Sequence, residues 1–453
     1  MSEVEQAKNL RDPKKESFVG LPVRQAAVNL LQKILVERKP LDQLIGRFGS
    51  GSALSGLTHR DRAFAHAIVA TSLRRLGQID HVVTNFLDKP LPKKCGKLRE
   101  ILIAATAQIL FLGSAPHAPI NLAVRQCQLD RKTRRFDKLT NAILRRIDRE
   151  GRKLVDSENS YLLNTPGWLF ERWEETYGPE AARYIADANL SEAVLDLTVK
   201  SDTQGWANRL NGVVLPTGTI RLETKGRIEN LAGYDEGAWW VQDAAAALPA
   251  RLLGEIKGRR VADICAAPGG KTAQLCMLGA EVTAVDSSAA RLDRLKSNLD
   301  RLSLNAEIVE ADATEWAPRN KFDAILLDSP CSATGTIRRH PDIMYLKTRN
   351  DIEELSELQF RLLDNSLNNL TAGGFLVYCT CSLEPEEGSG LVSRMLDARD
   401  DIQLVPFDRN DKLVNPDWIV DGCVRTLPYY MPMGTPELSG MDGFFIARLT
   451  KHE

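Results

Sequence analysis

The chain is poor in the residues that hold small or metal-bound proteins together. Eight cysteines scattered through 453 residues do not form a disulfide framework. No pair of C-x-x-C motifs occurs, and six separated histidines give no zinc-ligand spacing. Long apolar runs are also missing. The longest, Ile101–Leu112, is broken by Thr106 and Gln108 and is too short to cross a bilayer, so no membrane partner is expected. The first twenty residues are polar and charged, without the apolar core of a secretory leader. There is no G-x-G-x-x-G, no internal repeat and no low-complexity tract. A secreted disulfide scaffold and a zinc module are thereby excluded, and no metal is expected. A reducing cytoplasm fits, and it lets reactive thiols survive. Cys95 and Cys127 read as packing residues and Cys276 as core.

Charge is present but unevenly placed. The net value is −1, from 59 Lys and Arg against 60 Asp and Glu. Residues 21–153 hold 25 basic and 10 acidic side chains, about +15, and the remainder is about as acidic. So basic a segment predicts a polyanion, nucleic acid, as its partner. A solvated helical surface is the plainer alternative. Nothing in the chain calls for an obligate protein partner.

Periodicity divides the chain. Residues 1–20 read as a flexible lead. From Pro22 to Lys153 the pattern is helical, with Ala27, Leu30, Leu31, Ile34 and Leu35 at 3.6-residue spacing. Thr58–Arg75 and Lys97–Leu112 read as further helices. Asp137–Arg149 sets Leu139, Ala142, Ile143 and Ile147 on one face and Lys138, Arg145, Arg146 and Arg149 on the other. Residues 21–153 are thus expected to be an all-α module with a basic side. Residues 154–236 read as a small α+β connector, with a helix over Trp168–Ala188 and strands at Val194–Lys200 and Thr219–Thr224. Over 237–453, β-rich runs at Arg259–Cys265, Glu281–Asp286, Ala306–Glu310, Phe322–Asp328 and Gly374–Tyr378 alternate with helical segments Lys271–Leu278, Ala289–Leu302 and Asp351–Leu370. Gly443–Leu449 adds a last strand. Such alternation predicts a doubly wound α/β sheet, which binds its ligand beyond the carboxyl ends of the strands.

The informative motifs all fall at those ends. Cys265-Ala266-Ala267-Pro268-Gly269-Gly270-Lys271 follows a strand and opens a helix, and its glycines permit close backbone approach. Lys271-Thr272 invites a phosphate-loop reading, but that template needs glycine where Cys265 stands. An ordinary strand–helix turn is the bland alternative. Asp286 ends the second strand, where a carboxylate accepts ribose hydroxyls. Asp312 follows the third and suits an adenine amino group. Taken singly, either is as easily a cap or turn residue. Asp328-Ser329-Pro330-Cys331 ends the fourth strand. Methyltransferases acting on exocyclic amines usually carry Asp/Asn-Pro-Pro-aromatic here, and Cys331 in place of the aromatic points to carbon methylation. Cys381, in Thr380-Cys381-Ser382, follows the fifth. An isolated cysteine is usually a buried hydrophobe. Two at neighbouring strand ends suggest a thiolate that adds to C6 of a pyrimidine and makes C5 nucleophilic, with Asp328 at N3 and the amino group of cytosine. Arg338 and Arg339, in the basic loop Ile337–Asp342, are expected to clamp RNA phosphates, a solvated loop being the alternative. His340 alone is a poor general base.

Together, D-I-C-A-A-P-G-G-K-T, L-L-D-S-P-C-S-A-T-G-T-I-R-R-H-P-D and V-Y-C-T-C-S resemble the RNA 5-methylcytosine methyltransferases of the RsmB/NOP type. The helical front resembles the NusB-like RNA-binding domain of the bacterial members. The resemblance implies a NusB-like all-α domain, an α+β connector and a C-terminal α/β, Rossmann-like class I methyltransferase domain with an extra antiparallel strand pair. It implies S-adenosylmethionine as cofactor, held by Cys265, Ala266, Ala267, Pro268, Gly269, Gly270, Lys271, Asp286, Asp312 and Asp328. It makes Cys381 the nucleophile, with Cys331 assisting release of the adduct. DNA cytosine methyltransferases attack with the P-C cysteine, so spacing alone does not assign the roles. The implied substrate is small-subunit (16S) ribosomal RNA, reached in part through Arg145, Arg146 and Arg149. Alternatives are a transfer RNA or other cytosine methyltransferase, or a non-catalytic RNA-binding ribosome-assembly factor, which would not require both thiols and Asp328 together. Cys379 stands where small residues are usual in the family. Leu195–Lys200 lacks the family's L-R-x-N pattern, while Trp240-Val241-Gln242-Asp243-Ala244 resembles its V-Q-D element.

Overall fold

The computed structural model describes residues 19–45, 54–156, 159–223, 226–410 and 413–452; most of the lead expected over residues 1–20 lies outside them. The chain divides into two compact units, Met1–Leu169 with His340–Leu346, and Phe170–Arg339 with Lys347–Glu453.

The first unit is helical. Leu98–Leu110 lies at its centre with almost every side chain buried, which is why this run is apolar without a polar face. Around it, Leu30, Leu31 and Ile34 of helix Leu21–Leu35 meet Ile68, Leu73, Ile79, Leu144 and Ile147 in one core. Helix His59–Arg74 starts at Thr58, whose hydroxyl accepts from Asp61 N at 3.2 Å. Helix Asp137–Asp156 buries Thr140, Ile143, Leu144, Ile147 and Gly151, an i, i+3, i+4, i+7 stripe. Leu139 and Ala142, expected on that face, are exposed because the stripe is rotated by one residue. Arg145, Arg146 and Arg149 are exposed as well. Residues 340–346 complete the unit: Asp342 accepts from Leu41 N at 2.8 Å and the Tyr345 hydroxyl donates to Leu73 O at 2.9 Å.

The second unit opens with two helices where one was expected. Gly167–Tyr177 and Pro179–Ala188 are separated by Gly178 at φ 81°, and proline takes the first position of the second helix. A four-stranded antiparallel sheet follows, built from β1 (Leu195–Val199), β2 (Gly212–Val214), β3 (Ile220–Leu222) and β4 (Trp239–Val241), in the order β2-β3-β1-β4. β2 and β4, three residues each, are too short to leave a periodic signal in the sequence. Within this sheet Arg221 donates to both oxygens of Asp196, at 2.8 and 2.7 Å, and to Leu438 O at 2.8 Å, with both side chains buried.

The larger sheet contains β5 (Arg260–Ile264), β6 (Glu281–Asp286), β7 (Glu307–Glu310), β8 (Phe322–Asp328) and β9 (Leu370–Thr380), all parallel. β13 (Phe444–Lys451) pairs antiparallel with β9, β10 (Ile402–Leu404) and β12 (Cys423–Thr426) pair antiparallel with β13, and β11 (Ile419–Val420) pairs antiparallel with β12. The order is β11-β12-β13-β9-β8-β5-β6-β7, with β10 on β13. β5 and β8 are buried nearly throughout, and their largely apolar sequences, interrupted by Asp263 and Asp323, reflect cover on both faces. The chain builds outward from β5 through β6 to β7, then returns to place β8 on the other side of β5. That reversal opens a crevice at the carboxyl ends of β5 and β8, the usual position of a ligand in such sheets. No helix among the described residues is long and apolar enough to cross a membrane.

Removing Asp196 strands a buried guanidinium. Asp196→Ala is expected to destabilise the second unit by about 3–5 kcal/mol, read as a lower midpoint in thermal unfolding. An unchanged midpoint would show that the Asp196–Arg221 pair is dispensable.

Candidate active site

The loop after β5 turns sharply. Cys265 takes φ 61° and Gly269 φ 100°. A Cβ on Gly269 would lie 3.0 Å from Leu295 Cγ, so both torsion and space favour glycine here. Asp286, buried at the end of β6, braces the loop: its Oδ2 accepts from Ala267 N at 3.2 Å and its Oδ1 from Ser288 N at 3.1 Å. Arg291 donates to Ala267 O at 2.7 Å and lies 3.4 Å from Asp286. Burial, with Asp286 and Asp328 nearby, pushes the Cys265 thiol up to about 12. Beneath the loop, Asp263 accepts from the Thr272 hydroxyl at 2.6 Å, while its buried Oδ1 has no partner among the described residues. Burial pushes its carboxyl up to about 7, against the Thr272 hydrogen bond. Asp312, after β7, is exposed, and its Oδ1 accepts from Thr314 N and Oγ1 at 2.9 and 2.7 Å.

Asp328 stands beside one sulfur and one ammonium. β8 and β9 pair so that Asp328 faces Cys379, and Cys379 Sγ donates to Asp328 Oδ1 at 3.4 Å. Lys271 Nζ donates to Asp328 Oδ2 at 2.7 Å and sits 5.2 Å from the centre of the Phe444 ring. Burial disfavours the Lys271 charge, but Asp328 and the nearby sulfurs outweigh it and hold the ammonium above its ordinary range. β9 runs on to Thr380, beyond the expected Tyr378, which puts Cys381 immediately after its last residue. Cys331 and Cys381 are half-buried, with their Sγ atoms 3.5 Å apart. Contact with Cys381, burial and the charge of Glu387 push Cys331 well up, which favours its protonated form. Cys379 is fully buried and is likewise raised, by burial and then by Asp328.

The strand ends therefore bring Cys331, Cys381, Asp328, Lys271, the Cys265–Gly270 loop and Asp286 into one crevice. The phosphate clamp expected at Arg338 and Arg339 is corrected by their surroundings. Arg338 is buried and donates to Ser439 O at 2.8 Å and Glu192 O at 3.3 Å. Arg339 donates to Asp442 at 3.0 and 3.1 Å, to Val194 O at 3.3 Å and to Asp243. Both guanidiniums are engaged inside the protein, tying the loop down. Arg145, Arg146 and Arg149 have light engagements: Arg145 donates to Asn141 at 3.1 Å, Arg146 lies 4.8 Å from the Phe86 ring centre and Arg149 lies 3.9 Å from Glu150. Cys276 is only half-buried, its thiol 3.3 Å from Asn305 O.

Sequence reasoning missed a buried polar cluster under the thiols, made of Ser332, Ser382, Gln359 and Glu387. One signal was available: both motif cysteines are followed directly by serine. It included Asp263 within the loop motif without giving it a role, and it missed the Asp243–Arg339–Asp442 ties because acids separated by some 200 residues leave no local pattern.

Comparison with known proteins adds the following. Residues 250–450 match the family described as 16S rRNA methyltransferase RsmB/F, and residues 21–149 match the NusB family. Ribosomal RNA small subunit methyltransferase B of Shewanella oneidensis is 34% identical over 414 residues, covering 86% of this chain and 91% of that protein. Its namesake in Vibrio cholerae is 35% identical over 404 residues, covering 85% and 92%. The crystal structure of a methyltransferase homolog protein from Pyrococcus horikoshii is similar with a TM-score of 0.52 at 29% identity, over 63% of this chain and 95% of that one.

Asp263 predicts a pH signature. Its folded-state pKa, about 7, exceeds the ordinary carboxylate value, so the folded protein binds this proton more tightly than the unfolded chain. Its contribution to stability is fully present below the unfolded value near pH 4 and is lost as pH rises toward 7, by up to roughly 1.4 kcal/mol per pH unit. Asp263→Asn, which keeps an acceptor for Thr272, is expected to gain stability relative to the parent between pH 5 and pH 8 in paired denaturation curves. A difference independent of pH would contradict the shift.

Proposed function

We propose that this chain, which belongs to the 16S rRNA methyltransferase RsmB/F family, transfers a methyl group from S-adenosylmethionine to C5 of a cytosine in small-subunit ribosomal RNA, through a transient bond between Cys381 Sγ and C6 of the base. The observation that carries this reading is the pair of thiols 3.5 Å apart on the strand ends that also carry Asp328. Cytosine C5 is too weak a nucleophile to be alkylated unaided. Addition of a thiolate at C6 puts an electron pair at C5, which takes the methyl group; a base then removes the C5 proton, and the electron pair of that C–H bond re-forms the C5–C6 double bond as the thiolate leaves. A single sulfur suffices for the bond; a second, still protonated and in contact with the first, suits a proton-handling step.

In this reading Cys381 forms the bond and Cys331 assists release, the order the family resemblance implies, and contact with Cys381, burial and Glu387 push Cys331 up. Asp328 and Lys271 offer an acceptor and a donor side by side, matching N3 and the exocyclic groups along the edge of the pyrimidine. Holding N3 in a hydrogen bond there supports the charge that thiolate addition creates in the ring.

The residues around the Cys265–Lys271 loop fit the cofactor. The positive φ of Gly269 turns the chain sharply between β5 and the helix that starts at Gly270, at the strand ends where such sheets hold a ligand. In this reading Asp286 at the end of β6 would accept from the ribose and Asp312 after β7 from the adenine. When bound, S-adenosylmethionine supplies the electrophilic methyl group. We assign residues 21–153 as the RNA-facing helical domain, 154–236 as connector and 237–453 as the transfer domain. Arg145, Arg146 and Arg149 would meet RNA phosphates, a contact that positions the substrate without reading its sequence.

Cys381→Ala is expected to lower methyl transfer by roughly 1,000-fold or more and to form no covalent RNA adduct on denaturing gels. Retained turnover would remove Cys381 from the bond-forming role. Cys331→Ala is expected to accumulate an adduct resistant to denaturant, whereas loss of activity without adduct would give Cys331 a different part. In cells, bisulfite mapping of 16S rRNA should show one protected cytosine that disappears when the protein is absent. An unchanged map would exclude this substrate.

A further inference from the structure

The loops bearing Cys331 and Cys381 come from different strands, yet the residue after each cysteine reaches the same carboxylate. Glu387 has no measurable exposure. Its Oε1 accepts from Ser332 N at 2.8 Å and from Gln359 Nε2 at 2.9 Å. Its Oε2 accepts from the hydroxyls of both Ser332 and Ser382, whose oxygens lie 3.0 Å apart. Gln359 also donates to Pro330 O at 2.9 Å, so the residue before Cys331 is held by the same cluster. The Tyr378 hydroxyl, 2.8 Å from Glu387 O, fixes the acid's own backbone.

Burying a carboxylate costs several kcal/mol unless donors compensate. Here the donors come from each thiol loop and from helix Arg349–Asn368, which carries Gln359. The compensation therefore exists only when the two loops stand in one relative position. An apolar residue at 387 would fill the space without that condition, and a carboxylate serving stability alone would not need hydroxyls from both cysteine loops.

We infer that Glu387 is a positioning residue for the transfer reaction: through Ser332 and Ser382 it fixes the sulfurs of Cys331 and Cys381 side by side. The inference rests on the roles proposed above for the two cysteines. Glu387 touches neither the base nor the cofactor in this reading. It acts on the geometry from which Cys381 adds to C6 and Cys331 assists departure, and a misplacement of about 1 Å in such geometry costs on the order of 100-fold in rate.

The test uses the full chain and RNA carrying 5-fluorocytidine, whose fluorine blocks elimination after methyl transfer and traps the Cys381 adduct. Adduct formation is timed at saturating RNA and S-adenosylmethionine for the parent, Glu387→Ala, Glu387→Gln and the double variant Ser332→Ala/Ser382→Ala, with cofactor affinity measured on each. Glu387→Ala is expected to slow trapping by about 30-fold or more with KM for RNA and cofactor affinity within about twofold, and Glu387→Gln, which keeps an acceptor for the serines, to recover most of the rate. Trapping at the parental rate by a Glu387→Ala protein that binds cofactor normally would overturn the inference, as would equal loss in the Ala and Gln variants. If Glu387→Ala loses cofactor binding and so has not folded, the serine double variant decides. It should slow trapping by about tenfold or more, and a parental rate would again overturn the inference. Failure of the parent itself to form an adduct would instead defeat the covalent mechanism, separating that outcome from an error about Glu387.

Discussion

Parallel strands β8 and β9 lie side by side in a register that opposes Leu327 to Tyr378 and Asp328 to Cys379. Beyond the last paired residues the chains do not part. Ser329 N donates to Cys379 O at 3.0 Å and Gly335 N donates to Cys381 O at 2.9 Å. Because the backbones keep exchanging hydrogen bonds past the strand ends, two cysteines fifty positions apart bring their sulfurs within 3.5 Å. A slip of one residue would turn each side chain to the opposite face of the sheet, separating the thiols from each other and Asp328 from Lys271. Register is held by burial on both faces of β8 and along the distal half of β9, so the chemistry of the crevice is fixed by the packing of the core.

The second constraint acts on the far side of the Cys331 loop. Gly335 lies so close to Gly443 that an added Cβ would fall 2.0 Å from its carbonyl oxygen, and Gly443 N donates back to Gly335 O at 2.8 Å. Next to this contact, Asp442 and Asp243 share Arg339, and Asp442 N donates to Asp243 at 3.0 Å. Burial pushes Asp442 up to about 7 despite Arg339, so the cluster carries more acid than one guanidinium comfortably neutralises. A buried ionic cluster adds little net stability over apolar packing. What it does here is join three separate stretches, the V-Q-D element, the loop after Cys331 and the start of β13, at a single place. The Cys331 loop is thus gripped on one side by Glu387 and on the other by Asp442 and Gly443.

Much of this was legible in the sequence, and the reasons are local. Strands β5, β6 and β8 appear as short apolar runs because both faces are covered, and their ends matched within a residue. The Cys265–Lys271 loop, the two cysteines and Asp328 stand out in the sequence because each ends or closely follows such a run, where α/β sheets place their ligands. Arg338 and Arg339 were misread for an equally physical reason. Two arginines between a small-residue loop and a proline look solvated unless their acids are seen, and Asp243 and Asp442 lie about a hundred residues away on either side. Leu139 and Ala142 were misplaced because a helix with apolar residues on adjacent positions admits two stripes, and only packing against Leu102 and its neighbours selects one. Glu387 was invisible because it is one of three acids in Glu384–Glu387, and nothing in the run marks that Glu384 and Glu387 turn inward while Glu386 does not.

Four sulfurs gather at these strand ends, and their surroundings divide the work among them. Cys265 is held as a thiol by burial against Asp286 and Asp328, Cys379 by burial and its hydrogen bond to Asp328, and Cys331 by its partner thiol, burial and Glu387. A carboxylate near each of these sulfurs disfavours the thiolate, and a thiol that stays protonated is a poor nucleophile. Cys331 differs from the other two in touching Cys381, so its retained proton is within reach of the reacting sulfur. The same acids that make three cysteines inert as nucleophiles also make one of them useful as a proton carrier. On the proposed mechanism Cys381 attacks and Cys331 assists release, and the 3.5 Å contact between their sulfurs is what lets the two roles share a proton.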